Sequence, residues 1–154
     1  VRAIRQTFTK GGVGDLRVAL AGAGRLDDLR SLSPSLAIGI SRLIGPPGGA
    51  RVWTSWTPFV PPRFLKARGR NSLVGEVAAE IASRGLPGST VEIIPIDAAA
   101  SRFRHFVRVR HHGGPPPPMD AGFRLRVMFK KPVAGPICLG YASHFGLGLF
   151  AAEG

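Results

Sequence analysis

The sequence predicts an α+β domain built on an antiparallel sheet, because it contains two alternating segments and one helical stripe. Residues 102–110 and 123–130 alternate between apolar and mostly basic side chains, which is typical of strands with one face in a core. Between residues 71 and 85, apolar side chains recur at helical spacing, at Val74, Val77, Ala78 and Ile81. Strands and helix in this order are compatible with a ferredoxin-like (RRM-like) split βαβ fold.

The first 50 residues are predicted to be a partial N-terminal segment or the end of a preceding domain. Residues 26–32 have room for one or two helical turns. Ser33 and Pro34 suit the N-cap and the first position of a helix. The Gly-Pro-Pro-Gly-Gly run at 45–49 ends that helix and marks the boundary. Because the chain begins with Val1, we expect a fragment of a longer protein or an alternative start codon.

The main domain is expected to span residues 51–154. Its first strand, 51–57, places Trp53 and Trp56 on opposite faces, so that one faces the core and the other is available to stack on a base. Asn71 or Ser72 is expected to cap the following helix, and Gly85 with Pro87 to end it. The remaining predicted elements are a short strand at 90–96, the two alternating strands, a short helix within 133–143 and a final strand at 147–151.

The charge of the chain favours a polyanionic partner. It carries 21 Lys+Arg against 9 Asp+Glu, a formal net charge of +12. Most of the basic residues are Arg, which makes forked contacts with phosphates and stacks on bases. A high-GC genome also enriches Arg, but that bias does not by itself supply the net charge. No apolar run has the length of a membrane span, so the expected partner is nucleic acid and not a membrane.

The numbers of cysteines and histidines limit which disulfides, metal sites and cofactors the protein can have. A single cysteine, Cys138, excludes an intrachain disulfide and a cysteine-based zinc site. The single cysteine and the lack of a recognisable signal peptide both favour a reducing cytoplasm as the location. Four histidines without paired carboxylates or cysteines make a poor metal site, so we expect no metal and no other cofactor.

Two basic surfaces are predicted to hold the nucleic acid. If residues 102–110 and 123–130 pair as a hairpin in matching register, cations share one face with no acid between them. Like charges opposite one another are destabilising, so a bound polyanion would relieve them, although basic residues often simply cover a solvent face. The cations of this face are Arg102, Arg104, Arg108, Arg110, Arg124, Arg126 and Lys130. The loop before the helix adds Arg63, Lys66, Arg68 and Arg70.

Residues 140–150 combine three glycines with a histidine, a serine and a tyrosine. Glycine permits positive φ and close approach of a ligand to the backbone, so the amides of Gly140, Gly146 and Gly148 are candidates for holding a phosphate. His144 is the side chain of this stretch that exchanges protons near neutral pH. The alternative is a glycine-rich turn before a buried final strand, with His144 as an ordinary polar residue.

Several stretches of the main domain match a known family. They are residues 53–60 (Trp-Thr-Ser-Trp-Thr-Pro-Phe-Val), the arginine-rich strands, and above all 135–141 (Gly-Pro-Ile-Cys-Leu-Gly-Tyr) running into 144–150 (His-Phe-Gly-Leu-Gly-Leu-Phe). These stretches resemble the C-terminal part of the fused subunit of type I-G (formerly I-U) CRISPR systems. That subunit joins a backbone-capping module to a CRISPR RNA-processing endoribonuclease of the RAMP superfamily. The resemblance covers about residues 51–154.

The resemblance implies ferredoxin-like folds, a Gly-rich loop near the C-terminus and a β-hairpin that grips repeat RNA. It also implies metal-independent cleavage of the repeat within precursor CRISPR RNA, in an antiviral defence system. The implied partners are repeat or guide RNA and other subunits of a CRISPR effector complex. Several branches of the superfamily carry the catalytic histidine on or just before the first helix, but residues 51–104 contain no histidine.

The expected function is therefore a metal-independent endoribonuclease. The ribose 2′-hydroxyl attacks the adjacent phosphate, and the protein supplies proton transfer and donors for the developing charge. We expect His144 to act as general acid or base with support from Tyr141 and Ser143, although Tyr141 also suits the core and Ser143 a turn. His105 is expected in the core, and His111 and His112 in a solvated loop. The alternative is a non-catalytic RNA-binding subunit of a CRISPR ribonucleoprotein complex.

Overall fold

The computed structural model describes residues 6–8, 15–17, 24–95, 119 and 121–153. Its strands are β1 (Gln6–Phe8), β2 (Asp15–Arg17), β3 (Ala50–Ser55), β4 (Ser89–Ile94), β5 (Arg124–Val133), β6 (Ile137–Cys138) and β7 (Leu149–Ala152). Its helices are α1 (Pro34–Ile44) and α2 (Leu73–Ser83), with 3-10 helices at Leu26–Ser31 and Ser143–Phe145. β1 and β2 pair with each other as an antiparallel ribbon.

The other strands form a five-stranded sheet in the order β4-β5-β3-β7-β6, and each neighbouring pair is antiparallel. The predicted α+β class with an antiparallel sheet is therefore confirmed. β5 lies between β3 and β4, so β3 and β4 run parallel to each other and are joined in the chain by way of α2. β7 follows on the far side of β3, and this brings the C-terminal stretch next to the first strand of the sheet.

The prediction that residues 123–130 pair with residues 102–110 as a hairpin is wrong, because the strand formed by residues 124–133, β5, pairs with other strands. Along β5, one edge pairs with β4 and the other with β3, so that Arg126 lies between Glu92 and Thr54. No edge of β5 is left for the predicted partner. Alternation at period two specifies which face of a strand is buried, but not which strand lies beside it. Residues 102–110 themselves lie outside the described residues.

Both helices begin where the sequence predicts. Ser33 is the N-cap of α1 with Pro34 as its first residue. Ser72 is the N-cap of α2, where its hydroxyl accepts a hydrogen bond from the Gly75 amide at 3.2 Å. Gly85, at φ +65°, follows the C-cap of α2 in the left-handed region that terminates helices. Local capping chemistry therefore sets these boundaries.

The buried side of α2 differs from the predicted stripe. Leu73, Glu76, Val77 and Ile81 are buried, whereas Val74 and Ala78 are exposed. A charged residue, Glu76, lies on the face that packs against the sheet. The spacing of apolar residues alone does not predict this position, because Glu76 is not apolar. Its Oε1 has no hydrogen-bond partner among the described residues, and the nearest charge is Arg63 Nη1 at 3.8 Å.

The core lies between α2 and one face of the sheet. The apolar positions of β5, Leu125, Val127 and Phe129, are buried as the alternation predicts. Trp53 is fully buried, and its indole N–H donates to the Ala50 carbonyl at 3.0 Å. Trp56 is 47% exposed, so the prediction that only one of the two tryptophans enters the core is confirmed.

The short helix predicted within residues 133–143 is wrong. Residues 137–138 form β6 beside β7, and a 3-10 turn begins at Ser143. The turn between β5 and β6 contacts α1, because the Gly135 amide donates to the Ile44 carbonyl at 3.0 Å. α1 also contacts β7. None of the helices in the described ranges is both long and apolar enough to cross a bilayer.

Candidate nucleic-acid interface

Two loops lie against each other at one end of the sheet, residues 56–61 after β3 and residues 139–148 before β7. They are joined by hydrogen bonds from the Gly148 amide to the Pro58 carbonyl (2.8 Å), from the Tyr141 amide to the Val60 carbonyl (2.8 Å) and from the Thr57 hydroxyl to the Gly146 carbonyl (2.6 Å). The antiparallel pairing of β3 with β7 places the ends of these strands side by side. The sheet topology therefore assembles the candidate site from distant segments of the chain. Thr57 and Gly146, for example, are 89 residues apart in the sequence.

The glycine amides predicted to hold a phosphate are bonded to protein acceptors. The Gly140 amide donates to Glu80 Oε2 at 3.1 Å. The Gly146 amide donates to the Ser143 carbonyl at 3.2 Å, and the Gly148 amide to the Pro58 carbonyl. A carboxylate beside Gly140 also repels an anion. This arrangement does not offer the exposed amides that a phosphate cradle needs.

Close packing explains why two of these positions are glycine, without any need for a bound ligand. A Cβ on Gly148 would lie 1.7 Å from the Leu139 carbonyl oxygen, and a Cβ on Gly140 would lie 2.6 Å from the Val60 carbonyl oxygen. Both residues also have positive φ, +59° and +89°. Gly146 has φ +89° but has no atom within 4 Å of a built Cβ. The turn before a buried strand, which the sequence left as the alternative, therefore fits the geometry of this segment.

The three predicted catalytic side chains differ in access. His144 is exposed, and its ring meets the Phe145 ring edge-on, with centroids 5.3 Å apart. Ser143 is buried, and its hydroxyl lies 3.5 Å from Arg84 Nη2, which also pairs with Glu80 at 3.1 Å. Tyr141 is partly buried. Of the three, His144 is therefore the most exposed to solvent.

Exposed aromatic rings lie on the same two loops. Trp56 is 47% exposed and Phe145 is 78% exposed. The residues that follow them, Thr57 and Gly146, are hydrogen-bonded to each other. The Arg42 guanidinium lies over the Trp56 ring, 5.5 Å from its centroid. We call Arg42, Trp56, His144 and Phe145 the aromatic patch.

Sequence reasoning missed two members of the aromatic patch. Phe145 stands between a histidine and a glycine in the glycine-rich stretch, but these neighbours do not indicate that its ring is exposed. Arg42 has no signal either, because it reaches Trp56 only through the packing of α1 beside β7. Trp56 was found from its spacing to Trp53.

Acidic residues of neighbouring segments lie beside Arg126 on the basic face of β5, which corrects the expectation of a cationic surface without acids. Arg126 Nε donates to Glu153 Oε1 at 2.9 Å, and Nη1 lies 3.3 Å from Glu92 Oε2. A hydrogen bond from the Thr54 hydroxyl, followed by that from Arg126, lowers the pKa of Glu153, and the bond to Glu153 raises the pKa of Arg126. Protein carboxylates therefore compensate Arg126, whereas Lys130 is exposed and Arg124 is partly buried.

The loop before α2 presents its cations to solvent. Arg63, Lys66, Arg68 and Arg70 are exposed, and Phe64 within the same loop is 75% exposed. Arg63 lies 3.8 Å from Glu76. The loop is fastened to the start of the helix by a hydrogen bond from the Lys66 amide to the Asn71 carbonyl at 2.8 Å. This loop is a second surface with exposed cations and an exposed ring.

The remaining predicted residues Arg102, Arg104, Arg108 and Arg110, with His105, His111 and His112, lie outside the described residues. Within the described ranges, no group of three or more His, Cys, Asp or Glu side chains is placed to hold a metal ion. Comparison of the chain with protein-family models, curated proteins and solved structures gave no match.

Proposed function

We propose that the chain binds single-stranded RNA on the aromatic patch. The observation that carries this proposal is the pair of exposed rings, Trp56 and Phe145, on two hydrogen-bonded loops, with the Arg42 guanidinium over the Trp56 ring. Unpaired bases stack on aromatic side chains with about 1–3 kcal/mol per base, and a nearby cation tracks the backbone. The net charge of +12 supplies long-range attraction to a polyanion.

The domain is further proposed to be ferredoxin-like. Its support is the strand order, in which β5 separates β3 from β4 and β7 flanks β3 on the other side. In the order along the chain, β6 and the 3-10 turn come between β5 and β7, where that fold has its second helix. The resemblance of the C-terminal stretch makes CRISPR repeat RNA the first ligand to test, and CRISPR effector subunits the proposed partners. The cytoplasmic location stays a prediction.

Replacing both rings tests the RNA site. We expect Trp56→Ala with Phe145→Ala to weaken binding of a fluorescein-labelled, unstructured RNA at least about 30-fold, because each ring contributes about 1 kcal/mol or more. Fluorescence anisotropy across a salt series gives the affinity. The log–log slope of wild type is expected near −0.7 per phosphate contacted. Both rings are exposed, so the melting temperature should hardly change.

The matched control for this pair is Phe64→Ala. Phe64 is as exposed as Phe145 and has basic neighbours, but it lies in the loop before α2. We expect its replacement to weaken RNA binding by no more than about fivefold. Equal losses from Phe64→Ala and from the double variant would show that RNA binding is not specific to the aromatic patch. Unchanged binding by the double variant would overturn the aromatic patch as the site.

Cleavage is the second candidate function, and the exposure of His144 on the aromatic patch favours it. In this reaction the 2′-oxygen forms a bond to phosphorus while the bond from phosphorus to the 5′-oxygen breaks. The products are a 2′,3′-cyclic phosphate and a 5′-hydroxyl end. His144 would take the proton of the 2′-hydroxyl or give a proton to the leaving 5′-oxygen. Repeat RNA incubated with the protein in EDTA should yield a 5′-hydroxyl product, whereas binding without a cut supports the non-catalytic subunit.

A further inference from the structure

A cavity of about 540 Å³ lies between the C-terminal end of α1 and the C-terminal end of β7. Pro46, Pro47 and Ala152 supply apolar wall, and Arg42 and Glu153 supply two opposite charges. Small-molecule sites have volumes of about 300–1,000 Å³, with a few placed polar groups on an apolar lining. Because Arg42 both lines the cavity and lies over the Trp56 ring, the cavity adjoins the aromatic patch. No residue of this cavity was predicted as a site from the sequence.

The two oxygens of the Glu153 carboxylate differ in their hydrogen bonds to the described residues. Oε1 accepts from the Thr54 hydroxyl and from Arg126 Nε. Oε2 accepts no hydrogen bond from any described residue. A carboxylate has about four acceptor positions, two on each oxygen, so two positions are unused. The lowered pKa of Glu153, caused first by the Thr54 hydroxyl, keeps this group ionised at neutral pH.

Arg42 brings the opposite charge to the same cavity. It lies close enough to Glu153 for its charge to help lower the pKa of that carboxyl. The two opposite charges give the cavity no net preference for a cationic or an anionic ligand. The lining instead suits a neutral flat ring that has N–H donors on one edge and acceptors on another. Guanine has this pattern, with N1–H and N2–H₂ on one edge and O6 and N7 on the other.

We propose that this cavity binds a guanine base of the RNA strand held on the aromatic patch, an inference that rests on the proposed function. N1–H and N2–H₂ donate to Glu153, and O6 and N7 accept from Arg42, the commonest specific partner of guanine. Adenine and cytosine each place a ring-nitrogen lone pair where guanine has N1–H, facing the carboxylate. Uracil has a single ring N–H between two carbonyl oxygens, which the carboxylate repels. The cavity therefore selects guanine at one position of the strand.

The test compares a labelled oligouridylate with strands that carry one central guanosine, adenosine or cytidine. By fluorescence anisotropy we expect the guanosine strand to bind about 5- to 100-fold more tightly than the others. Glu153→Gln should remove this preference while binding of oligouridylate changes by less than about twofold. Lys131→Ala, an exposed cation that does not line the cavity, should weaken all strands by the same factor and keep the preference. Circular dichroism checks the fold of each variant.

The outcomes separate this inference from the proposed function. Equal affinity of wild type for all four strands overturns the guanine site and leaves RNA binding standing, whereas no binding to any strand overturns the proposed function. If Glu153→Gln does not fold, Arg42→Ala decides the question. It removes an exposed side chain, and it should reduce the ratio of guanosine to uridine affinity at least about threefold. Guanosine monophosphate that binds as tightly as the guanosine strand would replace RNA with a free nucleotide as the ligand.

Discussion

Gly148→Ala is expected to lower the free energy of unfolding by more than about 3 kcal/mol. The added Cβ would lie 1.7 Å from the Leu139 carbonyl oxygen, and the φ of +59° is one that a residue with a Cβ adopts only at a cost. Leu139 cannot simply move away, because it is fully buried and its amide donates to the Gly148 carbonyl at 2.8 Å. Chemical denaturation followed by tryptophan fluorescence measures the loss.

Gly146→Ala is the matched control for that measurement. Gly146 has φ +89° in the same turn, but a Cβ there meets no atom within 4 Å. Only the conformational cost applies, so we expect a loss of about 1–2 kcal/mol. Equal losses for the two variants would show that close packing against Leu139 does not explain the glycine at 148.

His144→Ala is expected to reduce cleavage of repeat RNA at least about 100-fold, if the chain cleaves RNA at the aromatic patch. A positioned proton-transfer group contributes about 10²–10⁴ to the rate. His144 is exposed beside Phe145 and stands on the loop that the Thr57–Gly146 bond holds against the first strand. The measurement is single-turnover cleavage in EDTA, with binding of the same RNA measured in parallel. Binding should change by less than about threefold, because the base-stacking rings are still present.

His144→Gln is a useful companion variant, because it keeps a polar side chain but cannot exchange protons near neutral pH. It should lose cleavage as fully as the alanine variant. Cleavage that survives both substitutions would place the proton-transfer group elsewhere, with His105, His111 and His112 as the next candidates. Loss of binding together with cleavage would make His144 a binding residue.

Local signals in the sequence predicted much of the fold. Ser33 with Pro34, and Ser72 three residues before Gly75, start the two helices through capping geometry that depends on neighbours in the chain. Alternation predicted the buried side of β5. The odd spacing of Trp53 and Trp56 predicted that only one of them enters the core. Each of these features depends on a few adjacent residues.

Features that depend on distant contacts were not predictable. The partners of β5 follow from sheet topology, and so β4 and β3 occupy both edges where a hairpin was expected. The α2 stripe was misplaced because Glu76 is buried with Arg63 as its nearest charge. Glu80 reaches the Gly140 amide across a separation of 60 residues. The contact of Arg42 with Trp56 depends likewise on how α1 packs.

Photocrosslinking tests the proposed RNA site most directly. An RNA that carries 4-thiouridine is irradiated in complex with the protein, and the crosslinked peptides are identified by mass spectrometry. Crosslinks are expected at Trp56 and at His144 with Phe145, the exposed rings of the two hydrogen-bonded loops. Crosslinks confined to residues 63–70, or to segments that include neither loop, would contradict RNA binding on the aromatic patch.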